Sequence, residues 1–67
     1  MKVTYKVGVL QKAFKARGMA YAELAFRTRY SEAWVRRLLS KNSKVAEQRA
    51  IELCCKALKV PITEVLN

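Results

Sequence analysis

Arg36 and Arg37 are the first residues whose type and position suggest chemistry. They stand between Val35 and Leu38, and on a helix the two guanidinium groups point away from that apolar pair. A basic outer face over an apolar inner stripe binds a polyanion; it does not transform a small substrate. Reactive residue types are otherwise sparse. The chain has no His and no Asp, and Glu23, Glu32, Glu47, Glu52 and Glu64 are too scattered to form a general acid–base pair. Cys54 and Cys55 are adjacent, so on a helix their side chains diverge by about 100° and cannot close an unstrained bridge. A zinc site needs four spaced ligands, so the two thiols read as small apolar core residues. The expectation is a protein that is not an enzyme, with no metal, no cofactor and no small-molecule ligand.

The elements that must position the arginines come from a short chain. Sixty-seven residues make one domain, residues 1–67, and a domain of this size buries only about 60% of the surface its unfolded chain exposes. Lys and Arg number 14 against 5 acids, a net charge of +9, while 52% of residues are apolar or aromatic. That apolar content is too high for a disordered basic tail. The chain therefore reads as folded and strongly cationic. Lys2, Lys6, Lys12 and Lys15 interrupt every early apolar run, which excludes a secretory segment. No stretch approaches the roughly 20 apolar residues of a membrane span. The expected location is the cytoplasm, associated with the nucleoid and with reduced thiols.

Apolar spacing is helical throughout, and two glycines and one proline are too few for a turn-rich β domain. Val7, Leu10 and Phe14 predict a first helix from Thr4 to Arg17, closed by Gly18. A second runs from Ala20 to Arg27, with Leu24 and Ala25 inward and no capping residue at its start. After the break at Thr28-Arg29-Tyr30, Ser31 caps a third helix from Glu32 to Leu39. Ser40 to Lys44 end it, with Asn42 as the expected left-handed residue. A fourth helix runs from Ala46 to Leu58 on Ile51, Cys54, Cys55 and Leu58, and Pro61 opens a last turn from Ile62 to Leu66. The fold class expected is all-α, five helices, with no repeat and no linker.

Two short helices about four residues apart, the second capped and basic outside, match a helix-turn-helix. A helix of that kind fits the DNA major groove, which is about 12 Å wide. Here the sequence resembles the Cro/lambda-repressor-type helix-turn-helix family. Met19-Ala20-Tyr21-Ala22-Glu23-Leu24-Ala25 looks like the family's "s-q-x-e-L-A" opening, and Tyr30-Ser31 like its "v-s" before the third helix. Val35 and Leu38 match that helix's inward pair. Ile51, Cys54, Cys55, Ala57, Leu58 and Val60 look like the fourth helix, Leu66 matches the fifth helix's anchor, and Val3-Thr4-Tyr5 resembles the opening of one subfamily. The resemblance covers nearly the whole chain. It departs at Arg29, where the family usually has Gly, at Tyr21, where it has Gln, and at Lys41-Asn42, where a Gly usually follows the third helix.

Carried across position by position, the resemblance implies base-reading roles for Ser31, Glu32, Ala33 and Arg37. Arg37 suits guanine O6 and N7, Glu32 suits cytosine N4, and Ala33 suits a thymine methyl. It implies phosphate contacts for Tyr21, Arg36, Lys41, Asn42 and Lys44. Several of these residues have a second reading. Ser31 is also a cap, Glu32 also serves the helix dipole or repels phosphate, and Tyr21 also packs on the first helix. Trp34 either wedges against the fourth or fifth helix or lies on a sugar or partner face. Lys56 and Lys59 read as a solvated edge. The resemblance implies a homodimer on a palindromic operator in double-stranded DNA: a Cro-like repressor or autoregulator, of the kind phages and mobile elements carry, that occludes a promoter. The rival is a helix-turn-helix scaffold used as a protein-interaction module, an antirepressor or a regulator's partner.

Overall fold

Leu10, Leu24, Val35, Ile51, Leu58 and Val65, drawn from every helix of the chain, lose essentially all contact with solvent. A computed structural model describes residues 1–67. It contains β1 (Lys2–Thr4), α1 (Val7–Ala16), α2 (Tyr21–Thr28), α3 (Glu32–Leu38), β2 (Val45–Glu47), α4 (Gln48–Leu58) and α5 (Ile62–Val65). The central element is α4, which packs on α1, α2, α5 and β2. Its stripe of Ala50, Ile51, Cys54, Cys55 and Leu58 is buried, as the spacing predicts. Both cysteines are buried free thiols serving as small core residues. No helix is long and apolar enough to cross a membrane.

The fold is mostly helical but not all-α. β1 and β2 form a two-stranded antiparallel sheet in which Lys2 faces Glu47, Val3 faces Ala46 and Thr4 faces Val45. The first helix therefore starts at Val7, not Thr4, and the fourth at Gln48, not Ala46. Three residues per strand give too few positions for an alternating pattern to show. What holds Thr4–Lys6 extended is distant in sequence. Tyr5 N–H donates to Lys44 O at 3.1 Å, and Lys6 N–H to Val65 O at 2.7 Å. The buried Tyr5 hydroxyl donates to Leu38 O at 2.6 Å and lies 2.5 Å from Ser43 Oγ. At the other boundary, Glu47 turns its carboxylate to the Met1 amino group at 2.9 Å, which holds that carboxyl below its ordinary range. The other helix ends agree with expectation to within a residue.

Left-handed backbone occurs at Gly18, Arg29 and Lys59, and not at Asn42. Gly18, at φ 61°, closes α1 as the sequence implies. After α3 the chain leaves through two right-handed turns, with Ser40 N–H on Arg37 O and Ser43 N–H on Ser40 O. Ser40 Oγ accepts the Asn42 N–H at 3.3 Å, so no left-handed residue is needed there. Arg29, at φ 65°, follows α2, and Tyr30 N–H returns to Ala25 O at 3.1 Å, closing the helix with a six-residue Schellman bond. Arg29 thus makes this turn from a non-glycine backbone and bears its strain. A non-Gly residue there costs about 1–2 kcal/mol, partly offset by the stiffer unfolded chain of a non-Gly residue, about 0.4–1 kcal/mol. Arg29→Gly is expected to stabilise the domain by about 0.5–1 kcal/mol, read as a raised melting temperature. A lowered one would mean the Arg29 side chain stabilises the fold.

Burial pushes the Cys54 thiol up to about 12 from an ordinary 9.0, with the Cys55 thiol adding to the effect. Burial also raises the Tyr5 hydroxyl. The folded state holds these protons more tightly than the unfolded chain does. Their contribution is therefore complete below about pH 9 and is lost as pH rises towards about 12. Urea midpoints should fall across that window, and Cys54→Ala should make the fall shallower. An unchanged slope in the variant would remove Cys54 as a cause.

Candidate nucleic-acid interface

α3 buries Val35 and Leu38 and leaves Glu32, Ala33, Arg36 and Arg37 exposed. The first pair anchors the helix in the core, and the exposed set forms one outward face one and a half turns long. Ser31 fixes where that face begins. Its Oγ accepts the Trp34 N–H at 3.1 Å, satisfying a free donor of the first turn. The hydroxyl is exposed, so its own proton remains free to donate outward.

Arg36 is the most constrained side chain of the face. Its Nη2 donates to Glu32 Oε1 at 3.0 Å, one helical turn back. Its Cζ lies over the Tyr21 ring, 4.6 Å from the centroid. Tyr21 in turn stacks on Phe14 of α1, with ring centroids 5.0 Å apart and planes 25° apart. Tyr21 thus packs on α1, as one of its two readings has it, and it supports a guanidinium at the surface. The Glu32–Arg36 pair is half exposed on both sides, so it is worth a few tenths of a kcal/mol at about 0.3–0.5. That is enough to orient Arg36 and too little to hold it against a phosphate. It engages one of the two Glu32 carboxylate oxygens, Oε1.

Trp34 is neither fully buried nor fully exposed. It stacks on Tyr30 with centroids 3.9 Å apart and planes 14° apart, half buried at the core's edge. With Arg37, Leu38, Lys2 and residues Val45 to Glu47 it lines a hollow of about 210 Å³ between α3 and the sheet. Arg37 is the exposed arginine of α3 that makes no ion pair.

On the other flank, Gln11, Phe14, Lys15, Tyr21, Leu39 and Lys41 surround a second hollow, of about 230 Å³. Gln11 Nε2 ties its floor together by donating to Leu39 O at 2.6 Å. Lys41 and Tyr21 are therefore brought together, and Lys15 joins them. Sequence reasoning placed Lys15 only near the end of a helix; its approach to Lys41 accompanies the Gln11 bond from α1 to Leu39 at the end of α3. Asn42 and Lys44 are exposed on the turn after α3 and line neither hollow. No protein-family model, curated protein or solved structure matches this chain.

Ser31→Ala is expected to lower stability by about 1 kcal/mol through loss of the cap, measured by urea denaturation. A change near zero would show that water replaces the hydroxyl and that Ser31 is free for another role.

Proposed function

We propose that this chain is a sequence-specific double-stranded DNA-binding regulator whose α2 and α3 form a helix-turn-helix. One observation carries the reading. α3 is anchored by buried Val35 and Leu38, capped by Ser31, and turns Ala33, Arg36 and Arg37 outward just after a tight left-handed turn at Arg29. Such a helix enters the major groove with its N-terminal residues against base edges. The net charge of +9 supplies the attraction to phosphate and a steep salt dependence.

In this reading Arg37 is the base-reading arginine. It makes no ion pair and can present two donors to guanine O6 and N7. Ser31 and Ala33 flank it as lesser base contacts. Arg36, held by Glu32 and Tyr21, is aimed at the backbone, with Lys41 and Lys15 beside Tyr21 as further phosphate ligands. Glu32 acts chiefly by orienting Arg36. Lys44 and Asn42 extend the basic edge beyond α3. A small domain of this kind acts as a Cro-like repressor by covering a promoter, as a homodimer on an inverted repeat with half-sites about one helical turn apart.

Selection from a random duplex library at physiological salt tests the proposal, with a short inverted repeat as the expected product. Recovery of no motif, with binding that vanishes as salt rises, would leave charge as the sole cause. On the selected site, Arg37→Ala should lose about 1–3 kcal/mol and relax the preference at one base pair. Arg36→Ala should weaken all sequences alike and lower the salt slope by about one. Wild-type binding by both variants would remove α3 as the reading helix.

A further inference from the structure

A second cationic surface lies where the end of α2 meets the start of α4. Arg27, Thr28, Arg29, Tyr30, Arg49 and Leu53 line a hollow of about 470 Å³ there. A neighbouring hollow shares Arg27, Arg29 and Tyr30 and adds Phe26. Phe26 is 84% exposed, the most exposed aromatic side chain of the protein and far from the usual state of a phenylalanine. Arg29 and Arg49 take part in no ion pair. Arg29 also holds its guanidinium there from a left-handed backbone that a glycine would adopt without strain. Strain of that kind clusters at functional positions.

We propose that this groove docks an acidic segment of a partner protein in which carboxylates flank an apolar side chain. Three features select that partner. Arg27 shows the bond such a partner would make, donating from Nε at 3.2 Å and from Nη2 at 3.1 Å to Glu23 Oε2 one turn back on α2. Arginine and exposed aromatic residues around an apolar floor are the composition of a protein-binding centre. Arg27, Arg29 and Arg49 line one hollow with the side chain of Leu53, so charge and apolar surface sit together there. Two carboxylates seat on Arg29 and Arg49, the apolar side chain between them packs on Leu53, and the next apolar side chain packs on Phe26 in the adjoining hollow. The surface is independent of the α3 reading, and each could fail alone.

The test uses the full chain and a fluorescein-labelled peptide repeating Asp-Glu-Leu, followed by fluorescence anisotropy, with an Asn-Gln-Leu peptide as control. Arg29→Gly combined with Arg49→Ala removes two charges without endangering the turn. Arg36→Ala combined with Arg37→Ala removes the same charge from α3. The expected result is binding of the acidic peptide alone, weakened about tenfold or more by the first pair and by Phe26→Ala, and unchanged by the second pair. Equal losses from both pairs would reduce the effect to net charge and overturn the proposal. So would a first pair that spares the peptide but weakens a single-stranded oligonucleotide, which would assign the groove to nucleic acid. Binding of the selected duplex should survive the first pair, and its loss there would merge the two surfaces into one.

Discussion

The ring and hydroxyl of Tyr5 hold together the parts of the chain that are farthest apart in sequence. Tyr5 is buried, its N–H reaches Lys44 O, and its hydroxyl reaches Leu38 O and Ser43 Oγ. It also forms a bridge with Leu66. A buried phenol is stabilising only when its oxygen is paired, and here the partners are the last turn of α3 and the loop beyond it. The position of that loop, and so of Lys41, Asn42 and Lys44, depends on a residue near the N-terminus. The sheet follows from the same constraint: once Tyr5 is drawn to Lys44, Lys2–Thr4 lie alongside Val45–Glu47 and their backbone groups pair.

This explains which parts of the fold the sequence reveals. α4 is legible because Ile51, Cys54, Cys55 and Leu58 repeat its period over two turns, and α3 because Ser31 caps it and Val35 and Leu38 anchor it. The strands are not legible. Val3 and Val45 have the right residue type for a strand, but three residues cannot display a period, and the partner is more than forty positions away. The turn after α3 misleads for a related reason. Asn42 has the intrinsic tolerance for left-handed backbone, yet Ser40 offers its N–H a local acceptor and the turn stays right-handed.

The candidate site divides the same way. That Arg36 and Arg37 face outward follows from their neighbours in sequence. That they differ from each other does not. Arg36 is tied to Glu32 by helical spacing, and to Tyr21 by the packing of α2 on α3, whereas Arg37 borders the sheet, whose existence no local pattern announces. Lys15 joins Lys41 where Gln11 of α1 bonds to Leu39 at the end of α3. Helix faces can be read from one segment, but neighbours across helices require the tertiary arrangement.

Two non-glycine residues, Arg29 and Lys59, end α2 and α4 in left-handed backbone, and both are cations. The coincidence has a partial electrostatic cause. A positive charge beside the free carbonyls of a helix C-terminus gains about 0.3–1 kcal/mol, against a backbone cost of about 1–2 kcal/mol. The dipole therefore offsets some of the strain, not all of it. At Lys59 the remainder accompanies a complete Schellman closure, with Val60 N–H on Cys55 O and Lys59 N–H on Lys56 O. At Arg29 the guanidinium joins Arg49 and Arg27 around an open hollow with an exposed phenylalanine beside it. A glycine would form the same turn with less strain and would leave that hollow with one fewer cation. What distinguishes arginine at this position is therefore the surface it builds.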